Sequence, residues 1–122
     1  MLEWMQLNRP QVAEGRIVAV RSEESRIPLE DGIADVVFMI NLHHELADPD
    51  AIYAEALRLL TPGGRLLVAD WASRETPKGP PIGVRVSASR LTDHLRHAGF
   101  ENVHVDDGAL DWHTLATAVR PA

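Results

Sequence analysis

The chain has 122 residues, 45% of them apolar, with 12 Lys and Arg against 18 Asp and Glu, a net charge of −6 and no cysteine. This length holds one small domain, the missing cysteine excludes disulfides, thiolate metal sites and cysteine nucleophiles, and the acidic balance argues against broad nucleic-acid binding, which needs a basic stripe. No apolar run approaches the roughly 20 residues of a membrane-spanning helix and "MLEWMQLNRP" carries no signal-peptide pattern, so the expected compartment is the cytoplasm.

In chain order, "MLEWMQLN" places Met1, Leu2, Trp4 and Met5 along one side of a helix, with Pro10 as its stop. "GRIVAVRS" reads as a strand, because Ile17, Val18, Ala19 and Val20 form a short apolar run after Gly15. "EESRIPLEDG" reads as a polar loop. "ADVVFMI", Ala34 to Ile40, is a nearly continuous apolar strand of the kind covered on both faces in a parallel sheet. A helix is expected from Asp48 to Leu60, with Asp48 as N-cap, Pro49 in the first turn and a stripe of Ile52, Ala56, Leu59 and Leu60. "TPGG" stops that helix, and "RLLVAD" is a second buried strand, which completes a βαβ crossover. "WASRETPKGPPIGVRV" is a long Pro- and Gly-rich loop, a class that is often functional. Ser89 to Ala98 reads as a helix with Leu91 and Leu95 inward and Gly99 as its stop. "FENVHVDD" and "WHTLATAV" form a closing strand pair turned at "GALD", with Phe100 and Trp112 expected in the core.

Two adjacent histidines follow the Ala34–Ile40 strand in "NLHHEL". Neighbouring side chains diverge on strands and helices, so one metal ion does not readily take both. Asp48 also stands where the H-E-x-x-H zinc pattern needs its second histidine. No metal site is expected. A histidine here suits the work of a base; the alternative is that one ring packs under the following helix while the other is solvated, and His43 and His44 both stay open. Asp70 stands at a strand's carboxyl end, where it either lines a site or hydrogen-bonds the next loop. Glu45 is expected to be solvated, and His94, His97, His104 and His113 to be surface polar residues.

The run "RIVAVRSEESRIPLEDGIADVVFMINLHHELADPDAIYAEALRLLTPGGRLLVADW" resembles the second half of a class I S-adenosylmethionine-dependent methyltransferase, of the small-molecule type related to the quinone and arsenite enzymes. The resemblance implies a Rossmann-like α/β fold: a mostly parallel sheet of order 3-2-1-4-5-7-6 with an antiparallel closing strand. In it Arg16–Arg21 resemble strand 3, Ala34–Ile40 strand 4, Arg65–Asp70 strand 5, and the final pair strands 6 and 7. The glycine-rich turn after strand 1 and the ribose-binding acid after strand 2 have no counterpart. Residues 1–122 are therefore expected to be a single partial domain, truncated at its N-terminus and lacking strands 1 and 2.

The implied activity is methyl transfer from S-adenosylmethionine to a small-molecule acceptor. By resemblance Glu23 takes the place of the acid that bonds the adenine amino group, and Glu24 the place whose backbone N–H meets the adenine ring. Asn41 and Leu42 line the methionine end, and His43, His44 and Asp70 are the catalytic candidates. Loss of strands 1 and 2 turns strand 4 into an apolar edge, a template for pairing. This chain alone is expected to bind the cofactor poorly or not at all, and the alternative function is a non-catalytic module that associates through that edge with a second copy or a complementing amino-terminal half. Neither nucleic acid nor membrane is an expected partner.

Overall fold

The computed structural model describes residues 2–122. Four strands form one sheet of order β1-β2-β4-β3, with β1 at Ala34–Ile40, β2 at Leu60–Trp71, β3 at Glu101–Asp106 and β4 at His113–Val119. β1 and β2 are parallel, while β2–β4 and β4–β3 are antiparallel. This is the 4-5-7-6 part of the implied order, so the α/β expectation holds.

Local signals explain most elements. In α3, Pro49–Leu59, the Asp48 carboxylate accepts the N–H of Ala51 at 3.2 Å, and Pro49 occupies the first turn. In α4, Ala88–Ala98, Ser87 caps the first turn and Gly99, at φ 105°, ends the last. Between α3 and the body of β2, Thr61 to Gly64 bulge out opposite Asp35, and pairing resumes at Val36–Arg65.

Both long helices cover one face of the sheet. Met39, Leu66, Val68, Ala116 and Ala118 pack there against Ile52, Tyr53, Ala56, Leu91, Leu95 and Phe100. The other face of β1 is bare: Val36, Phe38 and Ile40 are 58%, 67% and 58% exposed. Side chains alternate along a strand, so these three share the face turned away from the core. Among the described residues β1 is also a sheet edge with no partner on its outer side.

Three expectations are corrected. Arg16–Arg21 form no strand; this stretch is irregular, with Ile17 and Val18 exposed. A strand exists only with a ladder partner, and the order leaves none within reach. Pro10 does not simply end a helix: α1 runs Leu2–Asn8, and Pro10 opens α2, Pro10–Ala13, in the first-turn position that tolerates a missing N–H. Trp112 is 37% exposed rather than core-filling. Met1, assigned above to the apolar side of the first helix, lies outside the described residues.

The segment before β1 is held by Arg58 of α3. Its guanidinium donates to the carbonyls of Ile27 and Leu29 at 2.9 and 2.8 Å and to Asp31 at 2.7 Å. Glu55, one turn earlier, accepts from Arg58 and from the Ile27 N–H at 2.6 Å. These charge-assisted bonds hold an otherwise irregular loop against the helix. Among the described residues no helix is long and apolar enough to cross a membrane.

Candidate functional site

The carboxyl ends of β1 and β2 lie side by side, and the candidate residues gather there. β1 stops because Asn41 adopts φ 56°, a left-handed conformation that asparagine tolerates better than most residues. Its backbone N–H still donates to Ala69, at 2.8 Å, and its Oδ1 accepts from His113 Nε2 at 2.9 Å. The chain then turns through a short 3-10 helix, His43–Glu45.

That turn separates the two histidines. His44 Nδ1–H donates to Asp70 Oδ1 at 2.8 Å, and the His44 backbone N–H donates to Asp70 Oδ2 at 3.1 Å. Asp70 is fully buried at the end of β2 and also accepts from the Trp71 N–H at 2.7 Å. One carboxylate therefore fixes both the ring and the backbone of His44. Its side chain is 12% exposed, so it is not the solvated ring that one alternative expected. Glu45 is 69% exposed and stands 3.9 Å from the His44 Nε2.

His43 is the histidine that packs under the helix. It is 7% exposed, and its Nδ1 lies 2.7 Å from the hydroxyl of Tyr53, which is itself fully buried on α3. Burial, with the nearby His94 and Arg90 charges adding to it, lowers the His43 pKa from 6.5 to about 4. The Tyr53 hydroxyl is pushed the other way, upward, by burial and by the Asp70 charge. His43 and His44 line one cleft of about 200 Å³ with Leu46, Val84, Arg85 and Arg90.

The long loop after β2 forms one wall of this region and is folded around Arg85. The guanidinium donates to the carbonyls of Arg74 and Pro80, both at 2.8 Å, and to Thr76 Oγ1 at 2.9 Å, and it lies 5.5 Å above the Trp71 ring. His113 meets the Trp71 ring at 4.4 Å between centroids. Gly79 packs so closely on Trp71 that a Cβ there would stand 2.8 Å from the ring.

The four residues implied for the cofactor divide differently. The Glu24 carboxylate is already engaged, accepting the N–H of Ala47 at 3.0 Å and of Asp48 at 3.4 Å, which ties the acidic loop to the start of α3. The Glu23 backbone bridges to Arg26, and its residue lines an open cleft of about 410 Å³ with Arg21, Ser22, Arg26 and Pro28. Leu42 is 37% exposed beside Asn41. Glu23 thus lines one cleft, while Asn41 and Leu42 follow directly on the end of β1.

Two contributors escaped the sequence. His94 is no ordinary surface histidine: its Nδ1 is 2.7 Å from Asp50 and its ring lies 5.4 Å from that of His43. His113 braces Asn41 across the sheet. Their partners are 44 and 72 residues away in sequence, so no local spacing announces them.

Residues 1–68 match the model of a family described as methyltransferase domain. The chain is 28% identical over 106 residues to the 27-O-demethylrifamycin SV methyltransferase of Amycolatopsis mediterranei, covering 77% of this chain and 39% of that protein. It is 34% identical over 83 residues to a probable S-adenosylmethionine-dependent methyltransferase of Mycolicibacterium smegmatis, covering 63% and 32%. A SAM-dependent methyltransferase structure from Aquifex aeolicus superposes with a TM-score of 0.78 at 29% identity, over 91% of this chain and 60% of that one. The [4+2]-cyclase SpnF superposes at 0.73 with 22% identity, over 95% and 60%, a likeness of fold alone. The chain thus spans 39% and 32% of the lengths of the two sequence relatives. With residues 1–68 of 122 matched and the sheet shared with solved methyltransferases, the chain belongs to the methyltransferase domain family, as a Rossmann-like part of it.

Proposed function

We propose that this chain carries the acceptor side of an S-adenosylmethionine-dependent methyltransferase acting on a small molecule, with His44 as the base. The observation that carries this is the His44–Asp70 pair at the adjoining carboxyl ends of two parallel strands, where open α/β sheets bind ligands. When bound, S-adenosylmethionine supplies an electrophilic methyl group: an acceptor oxygen forms the new C–O bond as the C–S bond breaks and its electron pair stays on sulfur. Asp70 holds the His44 proton on Nδ1, leaving the Nε2 lone pair to take the acceptor's hydroxyl proton. Glu23 would face the adenine, while Asn41 and Leu42 would line the methionine end; the Glu24 carboxylate serves the loop instead, which leaves its backbone for the nucleoside.

The test is residue-resolved amide NMR of the chain titrated with S-adenosylhomocysteine. Weak binding is expected, with shifts confined to Glu23, Glu24, Asn41, Leu42 and the His43–Glu45 turn. Shifts elsewhere, or none at saturating ligand, would sink this assignment.

A second function is favoured by one observation, the bare outer edge and face of β1. In it the chain is a non-catalytic module that pairs through β1 with a second copy or with a separate amino-terminal half. Light scattering separates the two: a concentration-independent mass of 13.5 kDa speaks against self-association.

A further inference from the structure

Thr114 of β4 is fully buried, and its hydroxyl has no hydrogen-bond partner among the described residues. Such orphans are rare in native proteins, because a buried donor gives up its bond to water and gains nothing in return. Its place in the ladder is specific. Thr114 lies directly opposite Asp70 in the antiparallel pairing of β2 with β4. Opposed residues turn to the same face, with Cβ atoms about 4.5–5.5 Å apart. That face is the one under α3 and α4, where Ala116 and Ala118 continue the row begun by Thr114. Asp70 is the complementary case, a fully buried carboxylate with acceptor capacity left over. Its Oδ1 takes the His44 Nδ1–H and the Trp71 N–H, whereas its Oδ2 takes only the His44 N–H. A carboxylate has about four lone-pair sites, so the unused one is on Oδ2.

We infer that Thr114 donates its hydroxyl to Asp70 Oδ2 and is a positioning residue for His44, acting through the shared carboxylate. The role rests on His44 being the base. The unmet donor and the unused acceptor stand across one step of the ladder, and neither side chain reaches solvent. Rotation about χ1 carries a threonine hydroxyl between its staggered wells. The gap between opposed Cβ atoms is one that a hydroxyl and a carboxylate close between them. The bond then sets how Asp70 divides its charge. Each donor on a carboxylate draws charge away from the others, so the hydroxyl moderates the pull of Oδ1 on the His44 ring proton. Thr114 therefore governs how firmly the ring of the base is held, without touching the acceptor.

The experiment compares the full wild-type chain with Thr114→Val and Thr114→Ser, by ¹⁵N-resolved NMR and by urea unfolding. Thr114→Val keeps the branched shape and removes the donor. The donors left on Asp70 are the His44 Nδ1–H, the His44 N–H and the Trp71 N–H. All should move downfield together in Thr114→Val, and the urea midpoint should fall. Thr114→Ser keeps the hydroxyl and should hold these resonances at their wild-type positions. A hydroxyl that serves nothing behaves otherwise: its replacement by a methyl raises the midpoint and leaves the resonances in place. Either of those results overturns the inference. The wild type gives a measure that survives a Thr114→Val chain that does not fold. Its Thr114 hydroxyl proton should exchange slowly with water, and fast exchange overturns the inference as well. A chain that passes these tests, yet gives no amide shifts with S-adenosylhomocysteine, fails the proposed function and keeps the Thr114–Asp70 bond.

Discussion

Asp70 grips His44 twice, at the ring through Nδ1 and at the backbone through its N–H, and also accepts the N–H of Trp71. The carboxylate is fully buried, so its removal strands donors that water cannot reach. Asp70→Ala is expected to cost about 1–3 kcal/mol in urea unfolding. Asp70→Asn keeps the volume but offers a donor as well as an acceptor, so His44 should lose its fixed tautomer in histidine NMR at a smaller cost in stability. Full retention of the Nδ1–H form in Asp70→Asn would remove Asp70 from the proposed role.

The buried ring of His43 makes stability pH-dependent. Its folded pKa, about 4, lies below the ordinary 6.5. Between these values the unfolded chain binds a proton that the folded chain refuses, so stability falls as pH drops from about 6.5 to about 4 and this loss stops below that window. Urea midpoints measured across the window should decline in the wild type and decline less in His43→Asn.

A second acid-sensitive group lies at the other end of α3. Hydrogen bonds from Arg58 and then from the Ile27 N–H depress Glu55 from 4.5 to about 2. The sign is that of a carboxylate favoured in its charged form: its contribution is complete above pH 4.5 and is lost as pH falls toward 2. Glu55→Gln should flatten the stability profile in that lower window, and protease should cut near Ile27–Asp31 faster, because Arg58 loses the group that aims it at the loop.

How much of this was legible depended on how far each partner lies along the chain. α3 and α4 were readable because their signals are local: Asp48 accepts from Ala51, and Gly99 supplies the left-handed stop of α4, whose cap, Ser87, lies two residues before the expected start at Ser89. The failures involve distant partners. The run Ile17–Val20 has the composition of a strand, but a strand is a property of a pair, and no neighbour is in place. The roles of His43 and His44 were undecidable from "NLHHEL", because Tyr53 and Asp70, 10 and 26 residues away, make the choice. Pro10 fits both the end of one helix and the start of another, since its fixed φ suits the first turn as well.

Gly79 tests whether the loop after β2 is a built wall. It holds φ 113°, and an added Cβ would meet the Trp71 ring at 2.8 Å and Arg85 at 3.0 Å. Gly79→Ala should cost about 1–3 kcal/mol from backbone conformation alone and should release the Arg85 clamp, seen as altered tryptophan fluorescence and faster proteolysis between Arg74 and Arg85. Gly83→Ala, in open space with ordinary backbone, is the matched control and should be near neutral.

Phe38 reports on the second function. It stands on the bare face of the edge strand, 67% exposed, flanked by Val36 and Ile40. A charge there disfavours strand addition and costs the monomer little, because the side chain is not part of the core. If β1 is a pairing surface, the wild-type mass by light scattering should rise with concentration, while Phe38→Lys stays at 13.5 kDa with an unchanged urea midpoint. A wild-type mass that holds at 13.5 kDa across the same range removes self-pairing through β1.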